Sequence, residues 1–67
     1  MNKISTFTMP PLPNEAAIRA HCRRYPSFID LDNTNGAMTF IFNNAVPGHQ
    51  KDLEHLARWL GEVGELL

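Results

Sequence analysis

Four side chains in this 67-residue sequence are of the types that metals and nucleophilic chemistry require: Cys22 and the three histidines His21, His49 and His55. Their spacing works against both uses. His21 and Cys22 are adjacent, so on a helix they point about 100° apart. His49 and His55, six residues apart, miss the i, i+3 and i, i+4 spacings that bring helical side chains together. No pair has the separation of a closed tetrahedral zinc site. A thiol nucleophile needs a base that can face it, and His21 cannot do so from the neighbouring position. Cys22 therefore reads as a small buried hydrophobe. Gly48 stands alone and makes no phosphate-cradling loop. Asp30 and Asp32 share one face of a strand, where paired acids more often protect an exposed edge than transfer protons. The residues point to no catalytic set, no metal and no cofactor.

The remaining charged and aromatic residues fit recognition better than reaction. Arg19 and Arg23 lie one helical turn apart with Arg24 beside them, at an end where cations favour the helix dipole. They also make a small patch able to meet an acidic partner. Six basic against seven acidic side chains argue against direct nucleic-acid binding, which calls for a basic excess. Glu54 and Arg58 have the spacing of a helical ion pair. Trp59 and Leu66, seven residues apart, widen an apolar helix face beyond what a two-stranded hairpin covers, and a tryptophan at such a margin is a common interface anchor.

These groups must be carried by a few short elements. Asn35-Gly36 is a strong signal for a type I′ turn, in which both central residues need positive φ. With that pair at the tip, Thr34 faces Ala37, Asp32 faces Thr39, Leu31 faces Phe40 and Ile29 faces Phe42. Alternation then puts Ile29, Leu31, Met38, Phe40 and Phe42 on one side. Asp30, Asp32, Thr34, Thr39 and Ile41 take the other side, with Phe28. Strands are expected over 28–33 and 37–43. Residues 1–13 form an extended segment in which Ile4 to Met9 can make an edge strand, and Pro10-Pro11-Leu12-Pro13 excludes a helix.

Asn14 is placed to cap a first helix over 14–24, with Ala17, Ile18, His21, Cys22 and Tyr25 at apolar spacing. Pro26 stops it by restricting Tyr25. Pro47 suits the first turn of a second helix over 48–66, along which Leu53, Leu56, Ala57, Leu60, Val63, Gly64 and Leu67 form a stripe. The order is β-α-β-β-α: a single small α+β domain, 1–67, with both helices on one face of an antiparallel hairpin.

A chain of this length buries only about 60% of its unfolded surface. Such domains commonly lean on a disulfide, a metal or a partner subunit. One cysteine cannot form an internal disulfide, which favours a reducing compartment. The N-terminal residues lack the apolar run of a signal peptide, no stretch is long and apolar enough to span a bilayer, and a cytoplasmic location is expected.

Tyr25-Pro26-Ser27-Phe28-Ile29-Asp30-Leu31 together with Asp52-Leu53-Glu54-His55-Leu56-Ala57 resembles the pterin-4a-carbinolamine dehydratase family. Pro26, Gly48, Asp52, Leu56 and Ala57 take matching places, and Thr6-Phe7-Thr8 matches the strand before the first helix. The resemblance spans roughly residues 4–62 and is mostly structural. It implies a dimerising scaffold, and a pterin pocket lined by His21, Arg24 and Asn44. The family's catalytic histidines fall on Arg24, Tyr25 and Asn44, none of which carries protons at neutral pH as histidine does, so the resemblance implies lost chemistry.

The functional expectation is a non-enzymatic protein-binding module, an inhibitor or adaptor of the kind bacterial viruses and mobile elements encode, binding another protein or a second copy of itself. Its candidate surface is Trp59, Leu66, Arg58 and Glu62, with Asp30, Asp32, Arg19 and Arg23 as further contacts. The alternative is a degenerate dehydratase-like protein.

Overall fold

A computed structural model describes residues 3–66, with side chains through residue 62. The order is β1 (Ile4–Met9), α1 (Glu15–Cys22), β2 (Phe28–Thr34), β3 (Ala37–Asn43) and α2 (His49–Leu66). The α+β arrangement expected from the sequence is the one observed. Asn35 and Gly36 have φ of 55° and 72°, the double left-handed tip that a two-residue hairpin loop requires. Beyond it Thr34 pairs with Ala37, Asp32 with Thr39 and Leu31 with Phe40.

The N-terminal strand completes the sheet. It runs antiparallel to β3, pairing Phe7 with Phe40 and Met9 with Met38, so the strand order is β1-β3-β2 with the hairpin's second strand at the centre. The most apolar strand, Ala-Met-Thr-Phe-Ile-Phe-Asn, thus occupies the position flanked on both sides. Met38, Phe40 and Phe42 on its inner face are fully buried. Each contributes about 1.5–3 kcal/mol of transfer free energy. Leu31, Ile18 and Cys22 of α1, and Leu56 and Leu60 of α2, close the core, and Phe7, Met9, Leu12, Phe28 and Leu53 pack at its border.

One strand departs from simple alternation. A β-bulge lies between Phe28 and Asp30, and Phe28, not Ile29, stands opposite Phe42. The extra residue reverses the expected facing: Ile29 is 52% exposed, while Phe28 packs edge-on against Phe42 with ring centroids 5.8 Å apart. Burying a phenyl ring in place of a smaller isoleucine explains the choice, since a bulge lets the strand change faces without losing the pairing beyond it.

The helix boundaries also differ in detail. Asn14 has left-handed backbone geometry and its side chain caps nothing, because side-chain capping needs an extended cap residue. Its carbonyl instead accepts the Ile18 N–H at 3.1 Å. α1 ends at Cys22, two residues before the expected 24. Arg24 N–H and Tyr25 N–H bond to the carbonyls of His21 and Cys22, tightening the last turn ahead of Pro26. Pro47 lies before α2 rather than in its first turn. Gly48, at φ 84°, turns the chain into that helix. Ser27, 1% exposed, donates its hydroxyl to Asp52 Oδ2 at 2.6 Å and ties the start of the hairpin to α2.

Candidate functional site

The two helices lie on the same face of the sheet, and the seam between them collects the polar aromatic residues. On α1 and the turn after it, Ala17, Ala20, His21 and Arg24 follow i, i+3, i+4, i+7 spacing and fall on one side. On α2, Lys51, His55, Arg58 and Trp59 stand at i, i+4, i+7 and i+8 and also fall on one side. Ala17, Ala20, His21, Arg24, His55 and Trp59 line an open groove of about 590 Å³. Lys51, Glu54, His55 and Arg58 line a second basin of about 190 Å³. His55 lines both basins.

At the floor, four rings interlock. The His21 imidazole lies flat on the Trp59 indole, with centroids 3.7 Å apart and planes 2° from parallel. Tyr25 meets His21 edge-on and reaches His55 from the other side. Its hydroxyl is shared by two imidazoles, 2.8 Å from His21 Nε2 and 2.6 Å from His55 Nδ1. A phenol has one proton to donate. One imidazole therefore accepts that proton while the other donates an N–H to the phenol oxygen. A proton added to the ring that already donates leaves both bonds as they are, and one added to the accepting ring reverses both. A second leaves the phenol proton without an acceptor in the chain. The cluster is thus a short hydrogen-bonded relay suited to at most one positive charge.

Burial and charge favour its neutral state. Desolvation pushes the His21 pKa down, and the Arg24 and His55 charges push the same way. Burial raises the Tyr25 phenol, with Cys22 and Asp52 adding to the effect. Cys22 sits beneath this layer, fully buried, and desolvation pushes its thiol up to about 11. Such a thiol is a core group with little nucleophilic character. Among the described residues no three His, Cys, Asp or Glu side chains are arranged to hold a metal ion, and no helix is long and apolar enough to cross a membrane.

The other expected interface residues divide. Arg58 and Glu62 are exposed on α2 beside Trp59, and Leu66 has its side chain outside the described residues. Trp59 is only partly buried, and it packs against the core as well as on His21. The third strand, with Phe7 and Met9, gives the helices a broader floor than a lone hairpin would, so the apolar surplus is smaller than the hairpin alone implies. Arg19 faces inward along the sheet edge. It bonds Glu15 at 2.9 Å, Asp30 at 3.3 Å and the Leu31 carbonyl at 2.7 Å. The Glu15 carboxyl, lowered in pKa first by Asn33 and then by Arg19, bonds Asn33 at 2.7 Å. This clamp secures α1 to the edge strand β2 and occupies Arg19 and Asp30, leaving Asp32 and Arg23 exposed. The expected Glu54–Arg58 ion pair is not formed: among the described residues, the ion pairs are those of Arg19 with Glu15 and Asp30. Both side chains turn into the smaller basin instead.

Sequence spacing did not single out Tyr25 or His55 as site residues. Their usable signal was an i, i+4 separation, His21 to Tyr25 across the end of α1 and His55 to Trp59 on α2. That the two pairs meet is a property of helix packing. Of the three pterin-pocket positions implied by the dehydratase resemblance, His21 and Arg24 line the groove, whereas Asn44 is not among its lining residues. The fold defines a small α+β domain with a three-stranded antiparallel sheet. No family model matches the sequence, and no curated protein or solved structure matches it significantly.

Proposed function

We propose that this chain is a non-enzymatic protein-binding module that inhibits or bridges a partner protein, and that it acts through the α2 surface around Trp59. The observation that carries this reading is the open groove in which Trp59 is half-buried and backed by a stacked imidazole. A rigid, pre-positioned indole loses little conformational entropy on binding and offers a large contact area. The chemistry of the groove fits recognition. Its imidazoles are tied to a phenol rather than to a carboxylate that would strengthen a base, and the thiol beneath is inert. Partners of this kind include proteins met by phage- or mobile-element-encoded inhibitors, and a second copy of the chain.

The test is affinity capture from the native host, with light scattering on the purified protein, each repeated with Trp59→Ala. The variant is expected to keep its circular dichroism spectrum and to lose capture, self-association or both. A folded Trp59→Ala protein that retains both refutes the assignment.

A second reading, a degenerate dehydratase-like pterin binder, is favoured by one observation. Arg24, which stands where one of that family's histidines falls, lines the groove beside His21, and Tyr25, at another such position, is hydrogen-bonded to His21. Quenching of Trp59 fluorescence by a reduced pterin would support it.

A further inference from the structure

The two edges of the sheet are finished differently. Along an antiparallel strand the backbone groups alternate between the neighbouring strand and the open side. The Asn44 N–H bonds the Lys3 carbonyl at 2.9 Å, and the register carries that alternation along β1, so Ser5, Phe7 and Met9 bond β3 while Thr6 and Thr8 direct their N–H and C=O outward. β3 in turn presents Ala37, Thr39 and Ile41 to Thr34, Asp32 and Asp30, which leaves Leu31 and Asn33 as the outward-facing residues of β2.

At the β2 edge those groups are engaged. The Leu31 N–H donates to Asp30 Oδ1 at 2.8 Å, and its carbonyl accepts from Arg19 at 2.7 Å. Asn33 and Glu15 join side chains over the same stretch. Asp30 and Asp32 add negative charge, and the bulge breaks the regular spacing. Covering groups, charges and bulges are the devices that keep a sheet edge from pairing. β1 has none of them. Its sequence, Ile-Ser-Thr-Phe-Thr-Met, carries no charge and no proline, and it pairs with β3 without a register shift. Thr6 and Thr8 are exposed. Among the described residues, none donates to or accepts from the outward backbone groups of these two threonines.

This asymmetry selects a second copy of the chain as the occupant. Pairing β1 of one copy with β2 of the next would propagate as an open filament, whereas pairing β1 with β1 about a two-fold axis closes after two copies. Arg19 and Asp30 block the first arrangement and leave the second. The strand also suits itself. Opposed residues of an antiparallel pair lie on one face of the sheet, and an axis through Phe7 sets Thr6 against Thr8 twice, with no charge opposed to its like. Four backbone bonds form. The two Phe7 rings meet as a close, non-hydrogen-bonded pair. Each sits on the helix side, where Phe7 packs on Phe40 with centroids 6.0 Å apart and stays partly exposed.

We infer that β1 is a homodimerisation edge: Thr6 and Thr8 pair antiparallel with Thr8 and Thr6 of a second copy, joining two three-stranded sheets into one of six strands. The inference goes beyond the proposed function, because this edge does not include Trp59. So short a pairing makes a weak dimer that forms and dissociates with concentration.

Sedimentation velocity between about 10 μM and about 1 mM reads the mass across the range of a weak dimer. The chain is expected to pass from monomer to dimer and no further. Thr8→Pro removes an outward donor and spares the bonds to β3, at a position an edge strand tolerates; it should weaken the dimer about tenfold. Thr6→Lys/Thr8→Lys opposes like charges across the axis and should weaken it several-fold, and Thr6→Lys/Thr8→Glu, which opposes unlike charges in this register, should restore it. Both charge variants alter only exposed side chains, so they test the edge without disturbing the core. Hydrogen exchange reads the same groups: the Thr6 and Thr8 amides should slow as concentration rises, with the Phe7 amide slow throughout. A chain that stays monomeric at the top of the range overturns the inference, including one whose Thr6 and Thr8 amides slow only when a host protein is added. Association as tight in Thr8→Pro and Thr6→Lys/Thr8→Lys as in the parent overturns it too, and so does growth beyond two copies. A dimer lost in Trp59→Ala but kept in those β1 variants refutes the edge and leaves the proposed α2 surface standing. Host-protein capture retained in Trp59→Ala, with a dimer that responds to the β1 substitutions, does the reverse.

Discussion

Replacing Tyr25 with phenylalanine isolates the hydrogen-bonded relay at the groove floor. The substitution removes one oxygen and keeps the ring, so the contacts of Tyr25 with Phe42, His21 and His55 persist. Two bonds are lost, at 2.8 and 2.6 Å. A neutral hydrogen bond contributes about 0.5–1.5 kcal/mol net. His55 is exposed and His21 partly so, and water can satisfy both once the phenol is gone. The low end applies, about 1 kcal/mol for the pair. In a domain of this size that lowers the melting temperature by about 4–8 °C. Thermal unfolding followed by circular dichroism measures the loss. Two-dimensional NMR of the imidazole nitrogens measures the second consequence: His21 and His55 lose their fixed, complementary tautomers. An unchanged melting temperature together with unchanged tautomers in Tyr25→Phe would show that the phenol does not link the two histidines.

Three other outcomes follow from the packing. Because the folded state holds His21 below its ordinary pKa of 6.5, the unfolded chain binds that proton more readily. Its contribution to stability is complete above about pH 6.5 and falls as the pH drops through the lowered folded value. The melting temperature should decline as the pH falls below about 6.5, and His21→Gln should flatten that slope; an identical slope in the variant refutes the assignment. A thiol moved from 9.0 to about 11 has about a hundredfold less thiolate at neutral pH, and full burial restricts access further. Cys22 should therefore react with a disulfide reagent only as fast as the fold opens, accelerating in denaturant, and prompt labelling of the native protein would contradict its buried position. Ser27→Ala removes the donor to Asp52 Oδ2, a bond to a charged acceptor contributing about 1.5 kcal/mol at a half-buried carboxylate. The melting temperature should fall by about 6–12 °C, and a loss near zero would mean that this tie between hairpin and α2 carries no stability.

The legibility of this chain divides along the range of the interactions. The Asn35-Gly36 tip specified its turn and most of the hairpin register, because positive φ at two adjacent residues is a demand few sequences meet and side-chain alternation then has a single consistent solution. The proline run, the Leu53 to Leu60 stripe and Pro26 placed both helices within about two residues, since each acts through backbone geometry over a few neighbours. Ile29 is where local reasoning failed. Alternation put it inside, but exchanging it for the larger Phe28 ring through a bulge depends on the space beside Phe42, which no local pattern records.

What the amino-acid order determined alone was the set of elements and which face of each is apolar, because periodicity and turn chemistry operate within one turn or one strand. Only tertiary packing decided that Ile4–Met9 would flank β3, that Arg19 would be used up in clamping α1 to the sheet edge, and that two helical pairs some thirty residues apart would meet through the Tyr25 hydroxyl. Those outcomes depend on how the helices sit over a shared sheet. That is set by the summed fit of the buried side chains from every element, and the groove exists only where that fit leaves the two helices side by side.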